Sequence, residues 1–411
     1  MGNQWKNAPG EKPDVLADLY VVFLANCFTK VPEPSGGSKH FIELARNWRE
    51  MGQQLVVMTP DIGKENCELE GFNGPFITVP PKWANRLGIM TMYLLRGLTA
   101  LFKLPWSRSP LLLYGTSDML PDVLPAFAAR LLRRRSVFWA NCIFHLIPNL
   151  GERAGSRLDN TASFLAQRLS HKLIRAFADL IIVDNPILRD GLVAMGFNRS
   201  RIFVTMMGVD IPQIETEGTP VYDACFLGRL HPSKGISDLL KIWRSVCDSR
   251  PGSRLAVIGT GPLEETLKAD IREMSMEGLA EIMGYLPRDE LNQVLSSSSI
   301  FVFPSHEEGF GISLVEGMAF GLPAVAYALP HYNEVFGDVP VLVPVGDIDG
   351  FAARVLELLE DEELRERKSA ESRELALRHT WGNAMRREAC AIVHAVRFCG
   401  NRFKAQQNTY T

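Results

Sequence analysis

Short apolar runs alternate with amphipathic stretches along almost the whole chain. Helical periodicity fills most of the intervals between these runs, for example over residues 40–50 and 161–178. Strands that alternate with helices form parallel sheets covered by helices on both faces, so the pattern predicts an α/β fold. The predicted strands form two series, residues 19–25, 54–58, 111–114, 137–140, 180–183 and 202–205, then 221–227, 254–258, 281–283, 300–303, 324–327 and 341–343.

A break between the two series predicts two domains. Residues 207–220 are rich in glycine, proline and acidic side chains, as expected of a hinge. We therefore expect two doubly wound, Rossmann-like domains facing each other across a cleft, one over residues 14–212 and one over residues 213–378. A C-terminal segment, residues 379–400, is expected to carry a last amphipathic helix. The length of 411 residues also favours two cores over one.

Composition is that of an ordinary soluble enzyme. Apolar residues make up 46% and charged residues 22%. The net charge of −3 does not indicate a protein that binds nucleic acid. The cysteines lack zinc-ligand or Cys-x-x-Cys spacing, which favours reduced thiols in a cytoplasm. The polar N-terminus does not have the pattern of a signal peptide. The most apolar stretch, residues 87–104, is interrupted by Arg96 and Lys103, so we expect no membrane-spanning helix.

The most informative stretch is PSHEEGFGISLVEGMAFGLPAV, residues 304–325. It follows the apolar run 300–303, and its pattern is helical from Gly311 onward. Glycines in such a turn let the backbone approach a ligand closely, and amides at a helix start bind anions. Glu308 lies in the turn, and Glu316 lies about one turn into the helix. Carboxylates beside these amides suit a ligand with both hydroxyls and phosphates, such as a nucleotide sugar.

A second motif, FLGRLHPSKG at residues 226–235, places two cations in a loop between a strand and a helix. Arg229 and Lys234 would there neutralise a diphosphate leaving group as its charge grows in the transition state. Taken alone, basic loop residues are more often simply solvated. The glutamate motif downstream is what favours the phosphate interpretation.

Together these motifs resemble the signature of the retaining glycosyltransferases of GT-B fold, the family-four type, or glycosyl transferases group 1. The match comprises Gly-Arg and Lys-Gly in the first motif and Glu-Gly-Phe-Gly, the second Glu and Gly-x-Pro-x-Val in the other. The resemblance implies transfer of a hexose from a nucleotide-diphosphate sugar to a hydroxyl acceptor. It also implies a final helix that crosses back to the N-terminal domain. No cofactor is expected.

The resemblance also implies roles for individual residues. Arg229 and Lys234 would stabilise the departing diphosphate. Glu308 would hold the sugar near its C3 hydroxyl, and Glu316 would accept hydrogen bonds from the ribose. The remaining positions of the expected donor site are Gly228, Gly309, Phe310, Gly311 and Ile312.

The N-terminal half carries weaker signals. Gly36 and Gly37 correspond to a Gly-Gly loop that touches donor phosphate in the family, with a plain turn and an N-cap at Ser38 as the alternative. His145 follows a strand where the family places a histidine that reaches the transferred sugar. A structural histidine is the alternative there. Met207 replaces the usual Asn of an Asn-Gly-Val-Asp element, which leaves that side chain's contact in doubt.

Two further patterns resemble ligand-binding motifs, but we interpret both as structural. Asp347 and Asp349 match an Asp-x-Asp metal motif, but they precede a predicted helix, so we expect N-capping and no required divalent ion. The turn at Gly259 and Gly261 lacks the third glycine of a dinucleotide fingerprint, since Glu264 stands there. We interpret it as a turn near the donor base.

Cations interleave with large apolar residues in the N-terminal half. Such a face can lie on an anionic membrane, and a solvated helix end above ordinary core residues is an equal alternative. A membrane face would place the protein at the inner side of the membrane and favour a lipid-linked acceptor, as in cell-envelope or exopolysaccharide assembly. The residues concerned are Arg86, Arg96, Lys103, Arg130, Arg133, Arg134 and Arg135, beside Trp83, Leu94, Leu98, Phe102 and Trp106.

Two other functions remain open. One is a nucleotide-sugar epimerase of the same fold. The other is a non-catalytic binding subunit, which would have less need of the intact set Arg229, Lys234, Glu308 and Glu316.

Overall fold

The computed structural model describes residues 19–28, 36–80, 89–108, 110–144, 146, 157–213 and 220–398. The chain divides into two compact units. One is Met1–Met206 with Ala384–Thr411, and the other is Met207–Asn383. Each unit is built on one parallel sheet with helices between the strands, which confirms the predicted α/β fold.

The first unit contains a parallel sheet in the order β3-β2-β1-β4-β5-β6-β7. β1, β2, β4 and β5 are buried along nearly their whole length, as expected of parallel strands covered on both faces. The strands are β1 (Tyr20–Leu24), β2 (Leu55–Thr59), β3 (Phe76–Thr78), β4 (Leu111–Gly115), β5 (Val137–Cys142), β6 (Leu180–Val183) and β7 (Ile202–Val204). The helices are α1 (Gly36–Glu50), α2 (Asp61–Leu69), α3 (Ile89–Lys103), α4 (Leu120–Leu132), α5 (Arg157–Phe177) and α6 (Pro186–Ala194).

The second unit contains a parallel sheet in the order β10-β9-β8-β11-β12-β13. Its strands are β8 (Tyr222–Leu227), β9 (Leu255–Ile258), β10 (Ala280–Gly284), β11 (Ser298–Phe303), β12 (Ala324–Tyr327) and β13 (Val341–Val343). Its helices are α7 (Ile236–Ser249), α8 (Glu264–Glu273), α9 (Arg288–Ser296), α10 (Ile312–Ala319), α11 (Tyr332–Phe336), α12 (Ile348–Glu360) and α13 (Glu362–Arg378), and α14 (Trp381–Phe398) follows them.

The strand order reverses once in each sheet. In the first unit the reversal lies between β1 and β4, and in the second it lies between β8 and β11. Ligands of open parallel sheets bind outside the carboxyl ends of the strands at such a switch point. The two strongest sequence motifs follow β8 and β11, the two strands that flank the switch point of the second sheet.

Strand β3 and the start of helix α1 differ from the prediction. Strand β3 was not expected, because its three residues are only partly buried at the sheet edge and give too short an apolar run. Helix α1 begins at Gly36 and not near residue 40, so Ser38 lies inside the helix and the alternative N-cap there is wrong. Glycine is tolerated in a first turn whose amides need no intrahelical acceptor. A Cβ on Gly37 would lie 3.2 Å from the Phe144 ring.

The last helix, α14, packs into the first unit through a buried carboxylate. Glu388 accepts hydrogen bonds from the His40 ring at 2.8 Å, the Tyr114 hydroxyl at 2.5 Å and the Thr205 hydroxyl at 2.9 Å. Burial opposes the charge of Glu388, but the His40 ring and these hydrogen bonds outweigh it and keep the pKa of the carboxyl below its usual value. The helix therefore crosses back to the first unit, as the resemblance implied.

Candidate functional site

The loop after β8 is shaped by one glycine. A short 3₁₀ helix, Pro232–Lys234, ends at Gly235, whose φ of +65° lies in the left-handed region. A Cβ at this position would lie 1.8 Å from the carbonyl oxygen of Pro304. Only glycine therefore lets this loop pack directly against the loop after β11.

The two loops are joined at a single carbonyl group. The oxygen of Ser233 accepts hydrogen bonds from the amides of His306 at 2.9 Å and Glu307 at 3.2 Å. It also accepts one from the Ser305 hydroxyl at 3.1 Å. The two motifs, distant in sequence, thus form one continuous surface at the carboxyl ends of β8 and β11.

The cation of one loop meets the carboxylate of the other. Lys234 Nζ lies 2.6 Å from Oε1 of Glu308, and the two side chains are 19% and 11% exposed. Arg229 precedes Lys234 on the same loop, and its side chain is exposed. The structure therefore brings together Lys234 and Glu308, and it leaves Arg229 accessible beside them.

The pKa of His231 reflects the positive charge of this loop. Its Nδ1 lies 2.9 Å from the Ser233 hydroxyl. Partial burial, followed by the positive charges of Arg229 and Lys234, lowers the pKa of the ring below its ordinary value. A loop that disfavours a further positive charge is suited to an anion.

Helix α10 begins beside this loop at Gly311. Gly311 has a φ of +95° and stands immediately before the first helical residue, Ile312. The first amides of a helix have no intrahelical acceptors, so they can bind phosphate. The side chain of Phe310 is buried, with its ring centroid 5.5 Å from those of Phe336 and His379. The side chain of Phe310 is therefore not available to a ligand, and its backbone, like that of Gly309, is the part that could meet one.

Glu316 lies in the second turn of α10 and is half-buried. Its Oε1 is 3.7 Å from a guanidinium nitrogen of Arg288, which also donates to Asp210 at 2.8 Å. Sequence reasoning missed Arg288, because a single arginine at a helix start carries no motif. The only available signal was that Asp210 and Glu316, both in expected motifs, would need a cation nearby.

The turn at Gly259 and Gly261 is explained by backbone packing against the loop that contains Gly228. A Cβ on Gly259 would lie 1.9 Å from the oxygen of Gly228, and one on Gly261 would lie 2.2 Å from the oxygen of Leu230. The amide of Leu230 also donates to Thr260 at 3.0 Å. These glycines therefore let the loop after β9 lie against the cationic loop after β8.

In the first unit, Gly36 and Gly37 form the first turn of α1, and His145 lies outside the described residues.

Sequence reasoning missed a polar cluster at the carboxyl ends of β1 and β4. There Asp122 accepts hydrogen bonds from the Asn26 amide at 2.6 Å and the Ser117 hydroxyl at 2.6 Å. Burial raises the pKa of Asp122 to about 7, although these hydrogen bonds oppose the shift.

A second buried group adjoins that cluster. Asp118 accepts a hydrogen bond from Gln167 at 2.7 Å, and its carboxylate lies 2.7 Å from the His171 ring. The signal in the sequence was the run Thr-Ser-Asp directly after an apolar strand, where parallel sheets place polar ligand-facing groups.

The predicted basic face is only partly present. Arg96 is buried and donates to the carbonyls of Asn26 and Phe28, and Arg130 is buried against Asp179 at 2.9 Å. These two residues were wrongly placed on the surface, because charge alone predicts exposure and ignores buried hydrogen-bond acceptors. Arg86 and Trp83 lie outside the described residues. The exposed members are Leu94, Leu98, Phe102 and Lys103 on α3, with Arg133, Arg134 and Arg135 after α4.

Asp347 has the predicted structural role. Its side chain accepts a hydrogen bond from the Gly350 amide at 2.9 Å and caps α12. Within the described ranges, no cluster of three histidine, cysteine or acidic residues has the arrangement of a metal site. The helices of those ranges are also too short or too polar to cross a membrane.

Comparison with known proteins agrees with the fold and the motifs. A family model described as "Glycosyl transferase 4-like domain" matches residues 35–208, and one described as "Glycosyl transferases group 1" matches residues 210–375. Between them they span most of the chain. The chain belongs to the group 1 glycosyltransferases of GT-B type.

Several curated proteins are similar to it. O-antigen chain mannosyltransferase B of Escherichia coli is 26% identical over 291 residues, which is 62% of this chain and 76% of that protein. A putative colanic acid biosynthesis glycosyltransferase, WcaL of Salmonella typhimurium, is 28% identical over 44% of this chain and 47% of its own. The phosphatidyl-myo-inositol mannosyltransferase of Mycolicibacterium smegmatis is 33% identical over 38% of this chain and 41% of its own. The last two matches span less than half of each relative.

Solved structures share the fold at low identity. Anabaena Alr3699/HepE in complex with UDP and glucose superposes with a TM-score of 0.68 at 16% identity, covering 91% of this chain and 99% of that one. The apo lipopolysaccharide outer core galactosyltransferase WaaB gives a TM-score of 0.65 at 16% identity, covering 92% and 99%. At such identity the likeness establishes the fold alone.

Proposed function

We propose that this protein is a retaining hexosyltransferase that moves a sugar from a nucleotide-diphosphate sugar to a hydroxyl of a glycan or lipid-linked acceptor. The observation that carries the proposal is the meeting of Lys234 with Glu308 at the switch point of the second sheet. A cation for phosphate and a carboxylate for sugar hydroxyls are adjacent there, as a nucleotide-sugar donor requires.

The diphosphate would lie between the cationic loop and the start of α10. Arg229 and Lys234 offer two positive charges, and the amides around Gly311 and Ile312 offer donors. Preorganised charges of this kind stabilise a leaving group most strongly in the transition state, where its charge is greatest. Two fixed cations can take the place of a divalent ion, which supports metal-independent transfer.

The two glutamates would bind the hydroxyl-bearing parts of the donor. Glu308 stands beside the phosphate-binding lysine, which suits a hydroxyl of the transferred sugar. Glu316 lies further into α10 beside Arg288, which suits the ribose hydroxyls. A carboxylate accepts two such hydrogen bonds without competing for the phosphate.

Retention is proposed to occur by front-face attack. Glu308 is assigned to a hydroxyl of the transferred sugar, so no enzymic nucleophile is assigned. In the proposed step the bond from C1 to the phosphate oxygen breaks, and a bond from C1 to the acceptor oxygen forms on the same face. The acceptor proton goes to the departing phosphate oxygen. Atoms and charge therefore balance without an enzymic base.

The relatives support an acceptor from the cell envelope or an exopolysaccharide. The names of three of them refer to O-antigen, colanic acid and phosphatidyl-myo-inositol. A lipid-linked acceptor of this kind would be met at the inner face of the membrane by a cytoplasmic enzyme.

The surface of α3 supports peripheral contact with an anionic membrane. Leu94, Leu98 and Phe102 recur every four residues, so they share one helix face, and Phe102 is 81% exposed. Three exposed arginines, residues 133–135, follow α4. The surface of a peripheral membrane protein usually combines two features. Apolar side chains insert at the membrane–water interface, and cations contact the anionic headgroups.

The test is release of free nucleoside diphosphate from a panel of nucleotide sugars, with and without an extract of glycan and lipid-linked acceptors. We expect release only when both a donor and the extract are present. An epimerase would convert the nucleotide sugar without an acceptor, and a binding subunit would release no diphosphate in any mixture. The double variant Arg229→Ala/Lys234→Ala controls for contaminating activity.

A further inference from the structure

Tyr332 carries a hydroxyl group that has no hydrogen-bond partner among the described residues. The residue is fully buried at the start of α11. Its ring is fixed by neighbouring rings, with centroids 4.8 Å from His331 and 5.1 Å from Phe336. Throughout the described part of the chain, no group forms a hydrogen bond with the hydroxyl oxygen. Buried hydroxyls are rarely left unpaired, so this one calls for an explanation.

The position of the hydroxyl is set by Gly311. A Cβ on Gly311 would lie 2.8 Å from the Tyr332 oxygen, closer than side chains tolerate. The missing side chain therefore admits the hydroxyl beside the turn that connects Glu308 to α10. Burial, followed by the negative charge of Glu308, raises the pKa of Tyr332 well above its ordinary value. The hydroxyl therefore lies beside Gly311, three residues after Glu308 in the same turn.

Among the described residues, the Glu308 carboxylate is paired with Lys234. The 2.6 Å ion pair occupies the lysine that the proposed function assigns to phosphate. An anion that takes Lys234 leaves a mostly buried carboxylate in need of a new donor. Loss of one partner from a buried pair is strongly destabilising unless another group replaces it.

We propose that Tyr332 is a positioning residue: when phosphate draws Lys234 away, its hydroxyl donates a hydrogen bond to Glu308 and holds that carboxylate in place for the sugar. The partner exchange explains why a hydroxyl is kept unpaired next to the site. The phosphate part of this inference rests on the proposed function, whereas the Tyr332–Glu308 contact does not.

The contact can be tested without any ligand. Removal of Lys234 by Lys234→Ala frees Glu308 in the same way as an anion would. Tyr332→Phe should leave the melting temperature of the wild-type protein unchanged or higher, because the lost hydroxyl has no partner. In the Lys234→Ala background the same change should lower it by roughly 2–4 °C.

A matched control separates this coupling from general sensitivity to a lost hydroxyl. Ser372 on α13 is also buried, with no hydrogen-bond partner for its hydroxyl among the described residues. Ser372→Ala should change the melting temperature equally in both backgrounds. Equal shifts for Tyr332→Phe in the two backgrounds would overturn the proposed contact.

Calorimetric titration with inorganic pyrophosphate tests the exchange itself. We expect Tyr332→Phe to weaken pyrophosphate binding by roughly tenfold, the value of one hydrogen bond to a charged group. In a Glu308→Gln background the same change should alter the affinity by less than about twofold. An equal loss in both backgrounds refutes the exchange. Wild-type protein that does not bind pyrophosphate refutes the proposed diphosphate site, and the melting data then still decide the contact.

Discussion

Lys234 and Glu308 form an ion pair of 2.6 Å between two loops that follow neighbouring strands of one sheet. The resemblance to the family assigns these residues to opposite parts of the donor, one to the phosphate and one to the sugar. In the structure they bind each other. On the proposed function, a donor would separate this mostly buried pair and replace both partners, which would favour ligands that carry an anion and hydroxyls together.

The cationic loop should matter most in the transition state. Arg229→Ala/Lys234→Ala should lower kcat more than it weakens donor binding, because phosphate charge grows as the sugar departs. Loss of one electrostatic stabiliser typically costs about 3 kcal/mol, or roughly 10²–10³ in rate. Steady-state kinetics with donor titration measures both parameters. Arg254→Ala, an exposed arginine paired with Glu281 at 3.4 Å, serves as the control. Wild-type turnover in the double variant would remove the loop from the mechanism.

Transfer should not require a divalent ion. The two cations of the loop after β8 can neutralise a diphosphate, and Asp347 is occupied as the cap of α12. We expect full activity after dialysis against EDTA. Activity that disappears with EDTA and returns with Mg²⁺ or Mn²⁺ would show that a metal takes part in leaving-group stabilisation.

The buried carboxyl of Asp122 should make stability depend on pH. Its pKa of about 7 in the folded protein lies above the value of 3.8 expected when exposed. The folded state then holds a proton that the unfolded state has lost, so stability falls as pH rises from about 4 to about 7. The full effect is on the order of 4 kcal/mol.

Urea unfolding of Asp122→Asn against wild type measures this dependence. The variant cannot titrate, so the stability of the wild-type protein relative to it should decline between pH 4 and pH 7. Glu65→Gln, which replaces an exposed carboxylate of the same unit, should show no such trend. A difference between wild type and Asp122→Asn that is constant with pH would mean that Asp122 is ionised in the folded state.

The exposed face of α3 should bind anionic vesicles. We expect the protein to sediment with phosphatidylglycerol liposomes at low salt and to be released at high salt, since screening acts beyond about 8 Å near physiological salt. Phe102→Ser should reduce binding, and replacement of the three arginines at 133–135 by glutamine should remove its salt dependence. Equal recovery in the supernatant with anionic and neutral liposomes would favour a solvated surface and a soluble acceptor.

The alternation of apolar runs with amphipathic stretches was sufficient to predict most of the fold. Buried parallel strands such as β4 and β11 are continuous apolar runs, so they can be recognised without neighbours. Strand β3 could not be recognised, because its three half-buried residues depend on pairing with β2. Local pattern thus predicts elements whose burial is complete and misses those defined by an edge contact.

The residues of the site also fall into those that the sequence predicted and those that it did not. Lys234 and Glu308 were found because each lies in a motif with glycines that shape its turn. Arg288 and Tyr332 were missed because their relation to the site exists only in three dimensions. Arg96 shows the opposite error, since a cation that satisfies two buried carbonyls looks like surface charge in the sequence. The partners of these three residues are distant in sequence, so the sequence alone does not predict their positions or roles.

The central claim, retaining sugar transfer, is tested most directly by the structure of the product. The protein should be incubated with an α-linked nucleotide sugar and the acceptor that supports diphosphate release, and the new linkage analysed by proton NMR. We predict a glycoside whose anomeric proton has the α configuration of the donor, formed by wild type and strongly reduced in Arg229→Ala/Lys234→Ala. A β-linked product, or an epimerised nucleotide sugar with no glycoside, would contradict the account.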